Sequence, residues 1–303
     1  MEYVFEAKGL VKRYGNYTAL SGFDMHVPKG AIYGFVGRNG AGKTTLIRIL
    51  CGIQPPTSGD FTLYGKSGKS NEIHNARRRM GAIVESPAIY MDMTAQQNLC
   101  MQCRVLGIPT TGVNELLALV GLSNTGKKKA RDFSLGMRQR LGIAIALVGD
   151  PDLLVLDEPV NGLDPQGIIE IRELIQMLNK DHGITVIISS HYLDELSKVA
   201  THYGFIDQGK MVREMSMEMI EKACKKSLKV KVSDIDALSR VLVNEGVDHI
   251  ICSENEAEIY TDVEITGLVH ALDCEKCKLL SAKENEEDLE SFYINLIGGE
   301  YHA

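Results

Sequence analysis

The chain has 303 residues, 44% of them hydrophobic, which is typical of a soluble globular protein with about two domains. Its 33 basic residues stand against 40 acidic ones, and the formal net charge of −7 argues against a nucleic-acid or anionic-lipid partner held by nonspecific attraction. No apolar run approaches the roughly 18 residues that a membrane-spanning helix needs, and no secretory signal pattern is visible at the N-terminus, so we expect a cytoplasmic protein.

The first chemical motif is the glycine-rich segment YGFVGRNGAGKTTLIRILCG at residues 33–52. A β-rich run ends at Val36 and KTTLIRIL reads as a helix, which is the order of a phosphate-binding loop. Backbone N–H groups of such a loop turn toward the phosphates, Lys43 adds its charge, and the Thr44 hydroxyl can bind Mg²⁺. The sequence therefore predicts a nucleotide site formed by Gly37, Arg38, Asn39, Gly40, Ala41, Gly42, Lys43, Thr44 and Thr45.

The segment AIVESPAIY at residues 82–90 carries an acid, Glu85, between an apolar run and a Ser-Pro pair. A strand that ends at Val84 and is followed by a polar turn is ordinary loop composition. The local pattern by itself assigns Glu85 no role.

The seven cysteines are an odd number in a chain expected to stay where thiols are reduced, which argues against a disulfide framework. Two pairs have the CxxC spacing, Cys100 with Cys103 and Cys274 with Cys277. Two interpretations of these pairs stay open, a zinc or redox site and reduced thiols that are partly buried.

Residues 133–147, FSLGMRQRLGIAIAL, predict a helix with a free positive end. Ser134 is a good N-cap, and the residues behind it are typical of a helix. Because a helix N-terminus attracts anions, this segment is a second candidate for phosphate contact.

Residues 151–165, PDLLVLDEPVNGLDP, read as a buried parallel strand that ends in Asp157 and Glu158. One acid can hold a metal ion and the next can orient a water molecule; alone, such a pair is also typical of a solvated turn. A third β-like run, ITVIISSH, ends at His191, which either contacts the terminal phosphate or is a turn residue. The phosphate loop in the same chain favours the catalytic interpretation.

Over residues 3–212 these motifs resemble, in kind and in order, the ATP-binding subunits of ABC transporters. The family signature Leu-Ser-Gly-Gly-Gln stands here as Phe-Ser-Leu-Gly-Met at residues 133–137, so the serine and the second glycine are kept while Leu135 and Met137 depart from the pattern. The resemblance implies an α/β P-loop NTPase core with a helical subdomain over residues 1–215, and ATP and Mg²⁺ as cofactors.

The resemblance also implies roles for individual residues. Tyr14 is expected to stack on adenine, Asp157 to work through Mg²⁺, Glu158 to polarise water and His191 to sense the γ-phosphate. A dimer is implied, in which the signature of one subunit closes over nucleotide bound to the other; the residues concerned are Ser134, Gly136 and Asp164.

Glu85 stands where most of the family carries glutamine, and both this acid and FSLGMRQRLGIA are similar to the bacitracin-resistance and lantibiotic-immunity exporters. The resemblance thus implies export of an antimicrobial peptide, with permease subunits on separate chains and a location on the inner face of the cell membrane. We expect Glu85 to act near Mg²⁺ and at the membrane partner rather than as the general base. The alternatives are an exporter of a drug or ion, or a soluble ABC ATPase of translation or DNA repair.

Residues 216–303 predict a separate α+β module in the order strand, helix, strand, strand, helix, strand and final helix. The acidic run KENEEDLE is expected to form the solvated first turn of the final helix, DLESFYINLIGG. For this module, packing or dimerisation and regulation stay open.

Overall fold

The computed structural model describes residues 2–223, 226–259, 264–286 and 289–296. Contacts divide the chain into two compact units, Met1–Met217 and Glu218–Ala303. Within the described residues, no helix is both long and apolar enough to cross a membrane.

A six-stranded sheet of the first unit aligns the strands that carry the predicted motifs. Five of its strands run parallel, and the edge strand β10 is antiparallel to its neighbour. The strand that precedes the glycine loop, the strand that ends in Asp157 and the strand that precedes His191 are all buried. In spatial order the strands are β10 (Lys210–Ser216), β9 (His202–Asp207), β3 (Ile32–Val36), β8 (Thr185–Ser190), β7 (Leu153–Asp157) and β6 (Met80–Ile83).

A four-stranded antiparallel sheet supplies the other face of the core. Its long strands contribute Phe5 and Phe23, which are packed in one cluster with Phe35 of the parallel sheet and Ile47 of the first helix. Burial of these large apolar side chains stabilises the contact between the two sheets. The strands are β2 (Tyr17–Pro28), β1 (Tyr3–Tyr14), β4 (Ser58–Leu63) and β5 (Lys66–Ser67).

The helices of the first unit include a group of three that contact one another, α3 (Ala95–Leu106), α4 (Val113–Leu119) and α5 (Leu135–Leu147). Their starts follow from local sequence: Thr94 and Gln97 form a capping box before α3, and the Ser134 hydroxyl caps α5 by accepting from the N–H of Met137. The other helices are α1 (Lys43–Leu50), α2 (Ile73–Arg77), α6 (Pro165–His182) and α7 (Leu193–Ser197).

From β11 onward the second unit has the predicted order of strands and helices, but the helix α8 in front of β11 was not predicted. Its antiparallel sheet has the strand order β12-β13-β11-β14, which is the ferredoxin-like arrangement of a β-α-β-β-α-β chain. Val230, Leu238, Ala257 and Leu272 lie in its apolar core. The elements are α8 (Met217–Ala223), β11 (Lys226–Val232), α9 (Ile235–Asn244), β12 (His249–Ser253), β13 (Glu256–Ile259), α10 (Ile265–Cys274), β14 (Leu279–Glu286) and α11 (Leu289–Leu296).

The prediction for the acidic run was wrong in part. Residues 283–286 belong to β14 and pair with β11, and the final helix begins only at Leu289. Backbone pairing with residues 226–229 of β11 outweighs the weak strand propensity of Lys, Glu and Asn. Residues 287–288 and 297–299 of the predicted helix lie outside the described residues.

One polar cluster joins the two sheets of the first unit. Glu214 of β10 accepts hydrogen bonds from the Tyr33 hydroxyl at 2.5 Å, from the backbone N–H of His26 at 2.7 Å and from the His26 ring at 2.8 Å. Tyr33 is buried, and burial, followed by the charge of Glu214, raises the pKa of Tyr33 well above its ordinary value. The hydrogen bond from the neutral Tyr33 hydroxyl to Glu214 therefore stabilises the folded state.

We expect Tyr33→Phe to lower the free energy of unfolding by about 1–2 kcal/mol, because a buried hydrogen bond to a carboxylate is lost while the ring is kept. Since the pKa of Tyr33 is higher in the folded than in the unfolded chain, this contribution is complete below about pH 10 and declines at higher pH. Urea unfolding at pH 7 and pH 10.5 measures both effects. The control Tyr17→Phe removes an exposed hydroxyl and should change stability by less than about 0.5 kcal/mol.

Candidate functional site

The carboxyl ends of β3, β7 and β8 meet around a polar cavity of about 350 Å³. Because parallel strands end at one edge of a sheet, their following loops converge there. The cavity is lined by Arg38, Asn39, Gly40, Lys43, Thr44, Glu158, Asn161 and His191. The glycine loop, the second acid and the histidine of the sequence-based prediction are thus brought together.

The glycine loop is held by close backbone packing. Gly42 has a φ of 113°, and a Cβ atom there would lie 2.6 Å from the carbonyl oxygen of Ala19. A Cβ atom at Gly37 would lie 2.5 Å from the carbonyl oxygen of Ile206. Side chains are therefore excluded from both positions, and the loop can curve around Lys43 at the start of α1.

Lys43 is the buried cation of the cavity. Its side chain is 6% exposed, and its ammonium group donates to the carbonyl oxygens of Gly37 at 2.5 Å and of Arg38 at 3.3 Å. The same ammonium lies 3.3 Å from a carboxylate oxygen of Glu158. The loop thus fixes one positive charge directly beside the predicted catalytic acid.

Glu158 is held between two basic groups. Its second oxygen lies 2.9 Å from Nδ1 of His191. An ionised carboxylate only accepts hydrogen bonds, so this contact requires a proton on Nδ1. Glu158 has a φ of 50°, a conformation that non-glycine residues rarely adopt outside functional turns.

Asp157 lies behind the cavity rather than in its lining. It is 2% exposed and accepts a 2.5 Å hydrogen bond from the Ser189 hydroxyl, which itself accepts from the backbone N–H of Glu158 at 3.0 Å. Ser189 therefore positions both acids at once.

The residues fit a nucleotide with a divalent cation. A buried carboxylate that is bonded by a neutral hydroxyl, as Asp157 is, and the hydroxyl of Thr44 are oxygen ligands of the kind Mg²⁺ takes together with phosphate oxygens. Among the described residues no group of three or more His, Cys, Asp or Glu side chains could hold a metal by itself.

The signature segment lies at the N-terminus of α5. Ser134, Gly136 and Asp164 are not among the described residues that line the cavity. The side chain of Asp164 caps α6 by accepting a hydrogen bond from the backbone N–H of Gly167 at 3.1 Å. Leu135, which replaces the first glycine of the family signature, is 51% exposed. The predicted contact of these residues with nucleotide on a second subunit stays a prediction.

Tyr14 lies at the end of the β1–β2 hairpin, where its hydroxyl donates to Gln54 at 2.6 Å and its ring is 42% exposed. Gln54 in turn donates to the carbonyl oxygen of Thr45 in α1 at 3.2 Å. The neighbouring Tyr17 donates to the carbonyl oxygen of Gly40 in the glycine loop at 3.2 Å. Both tyrosines are thus tied to the nucleotide loop or its helix, and stacking of Tyr14 on adenine stays a prediction.

Glu85 pairs with Arg48 of α1, and its side chain is 59% exposed. It has a φ of 63°, so it shares with Glu158 an uncommon left-handed conformation. Among the described residues Glu85 is not part of the cavity lining. The ion pair joins the helix of the phosphate loop to the segment that leads toward α3.

Four residues of this arrangement were missed by sequence reasoning: Asn161, Ser189, Gln54 and Arg48. Asn161 and Ser189 carry a weak sequence signal, since each is a polar residue close to the end of a buried strand. Gln54 and Arg48 carry none, because their partners come from distant parts of the chain.

Comparisons with known proteins identify the family of this chain. Residues 20–161 match the model of the ABC transporter family. The bacitracin transport ATP-binding protein BcrA of Enterococcus faecalis is 38% identical over 99% of this chain and 98% of its own length. The lantibiotic transport ATP-binding protein SrtF of Streptococcus pyogenes is 42% identical over 70% of this chain and 90% of its own length.

A solved dimeric structure of the ATP-binding cassette MJ0796, bound to ADP and phosphate, shares the fold with a TM-score of 0.63 and 22% identity, covering 70% of this chain and 98% of that one. The predicted α/β P-loop fold is thereby confirmed. The chain belongs to the ABC transporter family, and it is an ATP-binding and ATP-hydrolysing subunit.

We expect Glu158→Gln to slow ATP hydrolysis by about 10²-fold or more while nucleotide binding persists, because the amide keeps the shape of the acid but is a poor base. Lys43→Ala should instead weaken ATP binding, since the charge on the phosphates is lost. Steady-state phosphate release and fluorescent-nucleotide titration separate the two variants. Wild-type turnover in Glu158→Gln, or unchanged ATP affinity in Lys43→Ala, would contradict the respective role.

Proposed function

We propose that this chain drives export of a bacitracin-like or lantibiotic-like peptide by hydrolysing ATP with Mg²⁺ in the cavity at the carboxyl ends of β3, β7 and β8. The observation that carries the proposal is the arrangement of Lys43, Glu158 and His191 around one polar cavity. The names of two relatives, a bacitracin and a lantibiotic transport ATP-binding protein, support the class of cargo.

The proposed binding step uses the glycine loop. Its backbone N–H groups and the N-terminus of α1 face the phosphates, and Lys43 places a fixed positive charge on the outer ones. Thr44 and Asp157 would hold Mg²⁺, which neutralises charge between the β- and γ-phosphates when it is bound. The ammonium of Lys43 has three N–H donors, so a phosphate oxygen would replace its contact with Glu158 while the two carbonyl partners keep it in place.

In the proposed catalytic step, Glu158 orients the attacking water and His191 contacts the terminal phosphate. Ser189 fixes the backbone of Glu158, and the Nδ1–H of His191 bonds its carboxylate, so the acid is held in one direction. The Nε2 atom of His191 is then available to the phosphate side. A protonated ring donates there, and its charge offsets that of the phosphate.

The proposal includes a dimer, because part of the expected machinery lies outside this cavity. Ser134 caps a helix whose N-terminal N–H groups can bind an anion. Phosphoryl transfer is helped by positive groups on every side of the terminal phosphate, and a second copy would supply this helix end. The MJ0796 cassette, whose solved structure is dimeric, supports the proposal of a dimer.

The dimer predicts complementation between two inactive chains. Lys43→Ala and Ser134→Arg should each abolish hydrolysis, yet a mixture should recover part of it, because the mixed dimer has one site without either defect. Differently tagged chains, purified together after mixing, allow the activity of the mixed dimer to be measured. Lack of any recovery in that preparation would contradict contact in trans.

We propose that Glu85 links ATP hydrolysis to the membrane subunits. The protein would then lie at the inner face of the membrane. Its ion pair with Arg48 connects the helix of the phosphate loop to the segment before α3. A carboxylate close to ATP phosphates would be repelled unless a basic group or metal stands between them. Arg48 supplies a positive charge directly beside Glu85. Glu85 would thus act beside the site rather than as its general base.

We expect Glu85→Gln to keep ATP binding and most basal hydrolysis but to reduce protection of cells against bacitracin or a lantibiotic at least several-fold. The measurement compares growth inhibition in cells that express the full transporter with wild-type, Glu85→Gln or Glu158→Gln subunits. Loss of hydrolysis in Glu85→Gln as deep as in Glu158→Gln would place Glu85 among the catalytic acids. Protection by the wild-type complex against other drugs or ions alone would contradict the peptide cargo.

A further inference from the structure

Helix α5, whose N-cap is Ser134, has a glycine in its interior. Gly142 is buried, and a Cβ atom there would lie 2.5 Å from Cβ and 2.8 Å from Cγ of Pro87. Glycine is a weak helix former, so its place in the middle of a helix needs a physical reason, and the close approach of Pro87 supplies one. Pro87 thus occupies the space that a side chain at position 142 would fill.

A second close approach lies one turn further along α5. A Cβ atom at Gly81 of β6 would lie 2.2 Å from the carbonyl oxygen of Ala146. Gly142 and Ala146 lie on the same face of the helix because residues spaced by four share a face. The chain is therefore packed against α5 both before and after Glu85, at Gly81 and at Pro87.

Asn98 of α3 fixes the backbone that follows Pro87. It is 2% exposed, accepts from the N–H of Tyr90 at 2.8 Å, and donates to the carbonyl oxygens of Tyr90 at 3.1 Å and Thr94 at 3.0 Å. The oxygen and both hydrogens of this buried amide are thus bonded, which holds the backbone in one position. We name residues 81–94 the β6–α3 segment.

The β6–α3 segment also pairs with the turn in front of α5. The N–H groups of Arg131 and Ala130 donate to the carbonyl oxygens of Met91 and Met93, each at 2.9 Å. The guanidinium of Arg138, in the first turn of α5, donates to the carbonyl oxygens of Ala130 at 3.3 Å and Arg131 at 2.8 Å. The segment is thus joined to the first turn of α5 as well as to its middle.

We propose that Gly142 is a positioning residue for ATP hydrolysis: by seating Pro87 on α5, it sets the position of Ser134 relative to the β6–α3 segment. The inference rests on the proposed dimer, in which Ser134 contacts nucleotide bound to the other copy. Close-packed contacts transmit a displacement because they leave no space to absorb it. A shift of the segment that carries Glu85 would therefore move α5, and with it the helix end that meets the phosphates of the other site.

A mixed dimer of Lys43→Ala and Ser134→Arg chains tests the inference. Its one intact site takes the phosphate loop from the Ser134→Arg chain and the signature helix from the Lys43→Ala chain. Gly142→Ala in the Lys43→Ala chain should lower kcat by about tenfold or more, since a misplacement of about 1 Å can cost on the order of 10²-fold. In the Ser134→Arg chain it should change kcat by less than about twofold, because α5 of that chain serves only the defective site.

The matched control is Gly267→Ala. Gly267 also lies inside a helix, α10, and a Cβ atom there would meet nothing within 4 Å. The added methyl group should therefore leave hydrolysis unchanged in either chain. Gly142→Ala in an otherwise wild-type chain should leave the affinity for a fluorescent nucleotide unchanged, because its phosphate loop is intact. Circular dichroism checks that both variants are folded.

Pro87→Gly probes the same contact from the other side. It empties the seat without adding an atom to α5, so it should lower kcat with the same dependence on the chain, even where Gly142→Ala folds poorly. The double variant Gly142→Ala/Pro87→Gly should recover part of the lost activity, because the new methyl group fills space that the ring has left.

Four results would overturn the inference. An equal loss of kcat whichever chain carries Gly142→Ala would assign the contact to stability alone. Unchanged kcat in both arrangements would remove Gly142 from the positioning of Ser134. A loss only in the Ser134→Arg chain would place the effect at the phosphate loop. An inactive mixed dimer with Gly142 intact would contradict contact in trans, and this failure of the proposed function is recognised before any change at Gly142 is made.

Discussion

The contact between Lys43 and Glu158 is the interaction on which the rest of the site depends. It joins the glycine loop after β3 to the acid after β7, with the Lys43 ammonium 3.3 Å from the carboxylate. A buried ammonium is costly without acceptors, and here the carbonyl oxygens of Gly37 and Arg38 complete its hydrogen bonds. The same carboxylate holds the ring of His191, so a single acid connects three loops at one edge of the sheet.

That arrangement is possible because β8 lies between β3 and β7. Ser189 of β8 reaches sideways to Asp157 and to the backbone of Glu158, while His191 follows two residues later. The polar groups of the central strand thus orient the acids of its neighbour. A parallel sheet with all strand ends on one edge converts these local contacts into a polar cavity for phosphate.

The two units of the chain present surfaces of different physical character. The first unit presents helix ends and fixed charges, which suit phosphate and depend on exact placement of donors. The second unit presents two aliphatic side chains on β12, Ile250 and Ile251, that are about half exposed.

Sequence alone determined the features whose geometry is local. The spacing of Gly37, Gly42 and Lys43 predicted the phosphate loop, Ser134 predicted the start of α5, and the apolar run before Asp157 predicted a buried strand; the structure has all three elements. These succeed because caps, glycine turns and strand burial depend on neighbours within a few residues. The order of elements in the second unit from β11 onward was predictable for the same reason.

Only the tertiary structure decided which distant side chains meet. The pairing of Glu85 with Arg48, the bond from Ser189 to Asp157 and the pairing of residues 283–286 with β11 follow from strand order and sheet register. Neither strand order nor sheet register is encoded in the composition of a short segment, since both are set by burial of the whole apolar core. The position of β12 at one edge of the described sheet has the same origin: the sequence marked a strand, but its place in the sheet was fixed by its pairing with β13, which lies between it and β11.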